Sequence, residues 1–129
     1  MILDTSALVA ILYGEPERVR FAQLIHEANT CSISVASFVE LSMVVEGQIG
    51  ADAARQVDTL FRRIGVTIEP VTIEQGLIAR QAFVDFGKGR HKAGLNFGDC
   101  FSYALAKAKG EALLFKGRDF SETDIVSAA

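Results

Sequence analysis

Short apolar runs alternate along this chain with longer stretches in which apolar residues recur every three or four positions. Met1–Asp4 reads as a short buried strand that ends on an acid. Thr5–Tyr13 then reads as a helix with Asp4 at its N-cap. Glu15–Ala28 is an amphipathic helix whose apolar side carries Val19, Ala22 and Ile25, joined by Phe21 and Leu24. Thr30–Ser34 has strand character, and Val35–Glu46 reads as a third helix. Gly47 and Gly50 punctuate the turn after it. Ala51–Ile64 is helical and stops at Gly65. Val66–Val71 reads as a strand with Pro70 near its end. Thr72–Phe86 is a helix opened by the capping-box pattern Thr72-Ile-Glu-Gln75. A polar loop, Gly87–Gly94, leads to the helix Asn96–Lys109, which stops at Gly110. Ala112–Phe115 is a last apolar strand, and the tail from Lys116 is turn-rich.

Short apolar strands alternating with helices imply a parallel sheet covered on both faces. The expected fold class is α/β, a three-layer α/β/α sandwich, over one domain spanning residues 1–129. A chain of this length should bury roughly 65–70% of its unfolded surface. It therefore needs no disulfide or structural metal to fold. Cys31 and Cys100 stand far apart with no CxxC spacing and no companion His pair, so they read as reduced core residues. No segment is long and uncharged enough to span a bilayer. The opening lacks a basic stretch and Asp4 breaks its apolar run, which argues against a signal peptide and for the cytoplasm.

Net charge is −3, against a generic high-affinity coat for nucleic acid. Its distribution is uneven. Residues 1–86 carry 11 acids and 6 bases, whereas residues 87–129 carry 5 acids and 7 bases. The C-terminal third can thus present a basic surface beside an acidic pocket.

Four acids interrupt apolar segments: Asp4, Glu40, Asp99 and Asp119. An acid among buried residues is costly unless something positive meets it. Asp4 ends the first strand and Asp119 follows the last one, at the sheet edge where α/β proteins build their sites. Glu40 shares a helix face with Ser37 and Val44, a face poorer in charge than a solvated one. Asp99 lies in the first turn of an apolar helix. Each acid also has a local reading: Asp4 as an N-cap, Asp99 as part of an Asn96-x-x-Asp99 capping box, Asp119 as a turn residue, and Glu40 as a satisfied buried pair. A capping carboxylate still has a free oxygen for a cation. Carboxylates without His or Cys select a hard ion, Mg²⁺ or Mn²⁺ rather than Zn²⁺. Such a site suits phosphodiester chemistry, with two ions about 3.5–4 Å apart serving the attacking and leaving oxygens.

Ile2-Leu-Asp-Thr-Ser-Ala7, Ser37-Phe-Val-Glu40, Gly94-Leu-Asn-Phe-Gly-Asp-Cys-Phe101 and Leu114-Phe-Lys-Gly-Arg-Asp-Phe120 together resemble the PIN-domain ribonucleases. Among these the chain is most similar to the VapC toxins of bacterial toxin–antitoxin pairs, over nearly its whole length. The resemblance implies the α/β/α fold, Mg²⁺-dependent endonuclease activity on RNA, a homodimer and neutralisation by a cognate antitoxin. It places the family's acids at Asp4, Glu40, Asp99 and Asp119, with the hydroxyl near the first acid at Thr5 or Ser6. Ser6, Ser37 and Asn96 are expected to support the site. Many relatives carry an Asp or Asn two residues before the last acid; Gly117 stands there, which leaves Asp119 as fourth acid, with Asp124 as a possible helper.

The loop Gly87-Lys-Gly-Arg-His-Lys92 reads as flexible and basic, so Lys88, Arg90, His91 and Lys92 are candidates to hold RNA phosphates. A solvated loop is the plain alternative. His26 reads as structural. Lys116 and Arg118 flank Asp119 and are placed to counter its charge or meet substrate. A haloacid-dehalogenase-like phosphatase wants a second Asp where Ser6 stands, and a receiver domain wants adjacent early acids, which are absent. A degenerate PIN-like binding module without catalysis is the remaining alternative. Finally, Leu8, Val9, Ile11, Leu12, Val19, Phe21, Leu24 and Ile25 exceed what one sheet face covers, and the excess is expected to form a groove for an antitoxin helix.

Overall fold

A computed structural model describes residues 1–129. Four parallel strands form its sheet: β1 (Ile2–Leu3), β2 (Cys31–Ser34), β3 (Val66–Glu69) and β4 (Leu113–Leu114), in the order β3-β2-β1-β4. Ile2 is level with Ser32 on one side and Leu113 on the other. Six α-helices connect them: α1 (Thr5–Leu12), α2 (Arg18–Glu27), α3 (Val35–Ile49), α4 (Ala53–Ile64), α5 (Ile73–Phe86) and α6 (Phe97–Lys109).

Alternation along the strands divides the core. Leu3, Ile33 and Leu114 pack with buried residues of α1–α4, including Leu8, Phe21, Leu41, Val57 and Phe61. Ile2, Leu113 and Phe115 pack with Ala79 and Ala82 of α5 and with Tyr103–Ala106 of α6. Successive strand residues point to opposite faces, so two residues per strand suffice to bind three layers. The α/β/α sandwich is the observed fold.

Glycines end the helices where expected. Gly65 and Gly110 adopt φ of 66° and 64° after α4 and α6, a left-handed geometry that other residues enter only at a cost. Gly47 does not end α3: the helix runs on to Ile49 and stops at Gly50 (φ 70°), because a single glycine weakens a helix without breaking it. The second helix begins at Arg18 rather than Glu15, with Glu15-Pro16-Glu17 forming a tight turn instead. β3 stops at Glu69, ahead of Pro70, which lacks the N–H that a further ladder bond needs.

The expected apolar groove on α1 and α2 is smaller than foreseen. Leu8, Ile11, Phe21 and Ile25 are core, and Val9, Leu12 and Leu24 pack partly against it; Val19 alone is largely exposed. The cause is α4, whose Val57 and Phe61 join the same core cluster. What remains is a cleft between α1 and α4, lined by Leu12 and Leu60 and rimmed by Arg18, Arg55 and Arg63. No helix is long and apolar enough to cross a membrane.

Candidate active site

β1 ends at Leu3, and the Asp4 N–H still bonds the Leu114 carbonyl at 2.9 Å. Asp4 is therefore held by the sheet at the C-terminal edge of the strands and caps α1 at the same time. Its Oδ2 accepts from the Ser6 N–H at 3.0 Å and from the Ser6 hydroxyl at 2.6 Å. Its Oδ1 accepts from the Ser102 hydroxyl at 2.6 Å. Ser102 has one hydroxyl hydrogen and gives it to Asp4, so in the 3.1 Å contact between Ser37 and Ser102 the donor is Ser37. Buried hydroxyls thus form a directed relay, Ser37 to Ser102 to Asp4. Thr5 supports the far end, its hydroxyl donating to the Ser37 carbonyl at 3.1 Å.

The N-cap reading of Asp4 holds, and its side chain also takes two hydroxyl bonds from outside the cap. Asp4 is 4% exposed and meets no cation; hydroxyls and one amide carry its charge. Ser6 bonds Asp4 directly, and Ser37 reaches it only through Ser102. Ser102, fully buried and one helical turn beyond Asp99, went unpredicted; a lone serine at that spacing in the apolar run Cys100–Ala106 was its only signal.

Asp99 sits in the first turn of α6. Asn96 Oδ1 accepts from its N–H at 2.9 Å, and Asp99 Oδ2 accepts from the Asn96 N–H at 3.1 Å, a complete capping box. Burial pushes the Asp99 carboxyl up to about 6; the Asn96 backbone opposes this, while the charges of Asp4, Asp119 and Glu40 add to it. Glu40, on α3, lays its carboxylate directly against Gly98. A Cβ there would stand 2.9 Å from Oε1 and closer still to Oε2, so a larger residue at 98 would push the Glu40 carboxylate out of this position. Asp119 opens a short 3₁₀ turn, Asp119–Glu122, and is exposed.

None of these four acids forms an ion pair, although seven ion pairs occur elsewhere in the chain. No three His, Cys, Asp or Glu side chains close tightly enough as they stand to grip an ion. The donor set fits a hard cation all the same. It is oxygen alone, it is short of positive charge, and Mg²⁺ binds through one or two carboxylates while keeping its waters. Asp124 belongs elsewhere. It accepts from the Tyr103 hydroxyl at 2.7 Å and from Lys107 Nζ at 2.8 Å, one and two turns further along α6. The Lys107 ammonium holds its carboxyl below the usual range.

The basic loop is more ordered than its composition suggests. The Lys88 N–H bonds the Leu95 carbonyl and the Leu95 N–H bonds the Phe86 carbonyl, each at 2.9 Å, so the loop is closed at its base. His91 is turned inward: Nδ1 accepts from the Ala93 N–H at 3.0 Å, and the ring meets Phe86 edge-on at 5.3 Å. Arg90 lies over the Phe83 ring at 5.4 Å. Lys92 pairs with Glu122 at 2.9 Å, tying the loop to the turn that carries Asp119. Lys88 is exposed and unpaired.

The profile of the PIN domain family matches residues 1–126. The chain belongs to the PIN domain family. Over 129 residues it is 46% identical to the VapC ribonuclease Mb0640 of Mycobacterium bovis, covering 100% of this chain and 98% of that one. It is 44% identical over 127 residues to a ribonuclease VapC of Mycolicibacterium smegmatis, covering 98% of each. Among solved structures, VapC20 of Mycobacterium tuberculosis, a toxin that cleaves the sarcin–ricin loop, superposes with a TM-score of 0.77 at 22% identity, over 97% of this chain and 95% of that one. VapBC2 of Rickettsia felis, solved on a DNA fragment of its promoter, gives 0.77 at 15% identity, over 98% and 94%. These two show the shared PIN fold. The full-length relatives make this chain a VapC-type ribonuclease.

Proposed function

We propose that this PIN-domain ribonuclease is an endoribonuclease and the toxin of a toxin–antitoxin pair, and that Asp4, Glu40, Asp99 and Asp119 hold its divalent cation. One observation carries the site: half-buried Asp99 feels the charges of Asp4, Asp119 and Glu40, and no lysine or arginine of the chain pairs with any of the four. Bound there, Mg²⁺, with Mn²⁺ as a substitute, supplies charge for the phosphate oxygens and lowers the pKa of a bound water. The chain's own part is to keep the acids ionised and oriented. Ser6 and Ser102 donate their hydroxyl hydrogens to Asp4, which fixes the carboxylate and favours its ionised form. Gly98 lets Glu40 approach, and Asn96 holds Asp99 through the capping box. Asp99 must lose its proton to take part, so the site is ready above a pH of about 6.

RNA reaches this edge past the loop Gly87–Gly94. Lys88 is the free ammonium there, while Arg90 and Lys92 are held by Phe83 and Glu122 and contribute field to the same rim. His91 supports the loop from within. The antitoxin segment lies in the cleft between α1 and α4, where Arg18, Arg55 and Arg63 favour acidic side chains around an apolar strip. A homodimer covers the exposed apolar residues of α5, Ile73, Leu77 and Val84.

Purified protein incubated with a structured RNA tests the reading. Cleavage should require Mg²⁺ or Mn²⁺, stop with EDTA and fail in Glu40→Gln. Metal-independent cutting would overturn the site. An inert protein that binds RNA would favour the degenerate binding module.

A further inference from the structure

Lys116 follows β4 and lies three residues before Asp119. Its side chain turns away from the acids of the site. Nζ reaches Glu15 Oε1 at 3.3 Å and Glu17 Oε2 at 3.4 Å, both in the turn between α1 and α2. That turn is a firm base. The Glu15 N–H bonds the Ala10 carbonyl at 2.9 Å, the Arg18 N–H bonds the Glu15 carbonyl at 2.9 Å, and Pro16 between the acids fixes the backbone. All three charged side chains are about one-third exposed, so water screens them less than an open surface pair. Glu17 Oε2 is buried and makes no hydrogen bond, although the ammonium is near. Lys116 is the cation that answers this oxygen.

The main chain of Lys116 works in the opposite direction. Its N–H donates to the Ser6 hydroxyl at 3.0 Å, and that hydroxyl donates to Asp4 Oδ2 at 2.6 Å. Gly117, at φ 101°, then turns the chain toward Asp119. One residue is therefore clamped by its side chain to the α1–α2 turn and bonded by its backbone to the hydroxyl that orients Asp4.

We propose that Lys116 is a positioning residue of the carboxylate site: the Glu15–Lys116–Glu17 clasp fixes the Lys116 N–H on Ser6, and through Ser6 it sets the orientation of Asp4 and the approach of Asp119. The inference rests on the reading that these acids bind a divalent cation. It carries an unusual sign. Removing a nearby positive charge should, by Coulomb's law alone, tighten cation binding. Loss of the clasp should weaken it, because an outer partner that orients a ligand is worth about 10–100-fold in metal affinity.

The test is Mn²⁺ titration by calorimetry without RNA, on wild type, Lys116→Met, Lys116→Arg, the pair Glu15→Gln/Glu17→Gln, and Asp4→Asn. Amide exchange at residue 116 is followed in EDTA. Lys116→Met and the double glutamine variant should each bind Mn²⁺ about tenfold more weakly, with faster exchange at residue 116. Lys116→Arg should restore both. Unchanged or tighter binding in Lys116→Met overturns the clasp, and so does weak binding in Lys116→Met with normal binding in the double variant, which would make Lys116 act alone. If Lys116→Met fails to fold, the double variant decides by its exchange rate: protection at residue 116 equal to wild type overturns the clasp. Asp4→Asn separates the two readings. Its loss of Mn²⁺ binding beside an unaffected Lys116→Met condemns the clasp only, whereas full binding by Asp4→Asn condemns the cation site on which the clasp depends.

Discussion

Asp119 and Asp124 stand five residues apart in the same tail, yet they face opposite electrostatic conditions. Asp124 has a lysine and a tyrosine hydroxyl within 2.8 Å, and its carboxyl is held below the usual range. Asp119 has no cation and adds its charge to Asp99, whose carboxyl is already pushed up to about 6. The contrast follows α6. Tyr103 and Lys107 serve the acid beside its later turns, while its first turn carries Asp99 itself. The same helix builds a neutral, structural contact along its length and an unneutralised site at its start. An acid with a partner stabilises the fold; an acid left without one among others is available to something outside the chain.

Asp4→Asn should make the largest difference. Cleavage should fall on the order of a hundredfold or more, as for loss of one preorganised electrostatic group, while the stability of the metal-free protein changes little, because relief of repulsion with Asp99 offsets the acceptor that the amide NH2 takes away from Ser6 or Ser102. RNA cleavage assays paired with thermal unfolding in EDTA check both halves. Wild-type cleavage would remove Asp4 from the site.

Ser102→Ala should cost both function and stability. It leaves Asp4 Oδ1 buried without its donor and Ser37 without its acceptor. A loss of about 1–3 kcal/mol in urea unfolding is expected from the unmet carboxylate, with metal affinity down by about tenfold. A variant with wild-type stability and metal affinity would mean that the hydroxyl relay only fills space.

Acid should act oppositely on the empty and the loaded site. Asp99 has a folded pKa of about 6 against about 3.9 in an unfolded chain. Its raised value contributes stability that is fully present below the unfolded pKa and is lost as pH rises through about 6. In EDTA this group should make the protein more stable at pH 5 than at pH 7, by about 1 kcal/mol once partial exposure is discounted. Mn²⁺ affinity should run the other way and fall as pH drops through about 6. Denaturant titrations of wild type and Asp99→Asn at the two pH values check the sign, since the variant lacks this term. Equal pH responses would show that Asp99 is not the group concerned.

Asp124→Asn should be the mildest change. Its pair with Lys107 is half exposed on both sides, and such pairs are worth about 0–1 kcal/mol. Unfolding should shift by no more than that, and cleavage at saturating Mg²⁺ should match wild type. A loss comparable to that of Asp119→Asn would erase the distinction between the two acids.

Much of this was legible along the chain. The strands and helices are local: Asp4 and Asn96 cap the helices that follow them, and Gly65 and Gly110 close the helices before them. The apolar alternation in Ile2-Leu3 and Leu113-Leu114 is enough to assign both sheet faces, because neighbouring residues point apart. Of the four acids singled out by interrupted apolar runs, only Asp4 is fully buried, where charge is costly without partners; Glu40 and Asp99 are half-buried and Asp119 is exposed. Distance in three dimensions is another matter. No local pattern shows that Ser102 donates to Asp4 across 98 residues, that the Glu40 carboxylate lies against Gly98, or that Asp124 is claimed by Lys107 while Asp119 forms no ion pair. Nor does composition reveal that His91 and Lys92 are occupied within their own neighbourhood. Sequence by itself determined which residues are helical, buried or charged, because those properties depend on nearest neighbours and on water. Only the tertiary structure decided which charges meet, because a carboxylate's partner is whatever the folded chain brings within a few ångströms of it.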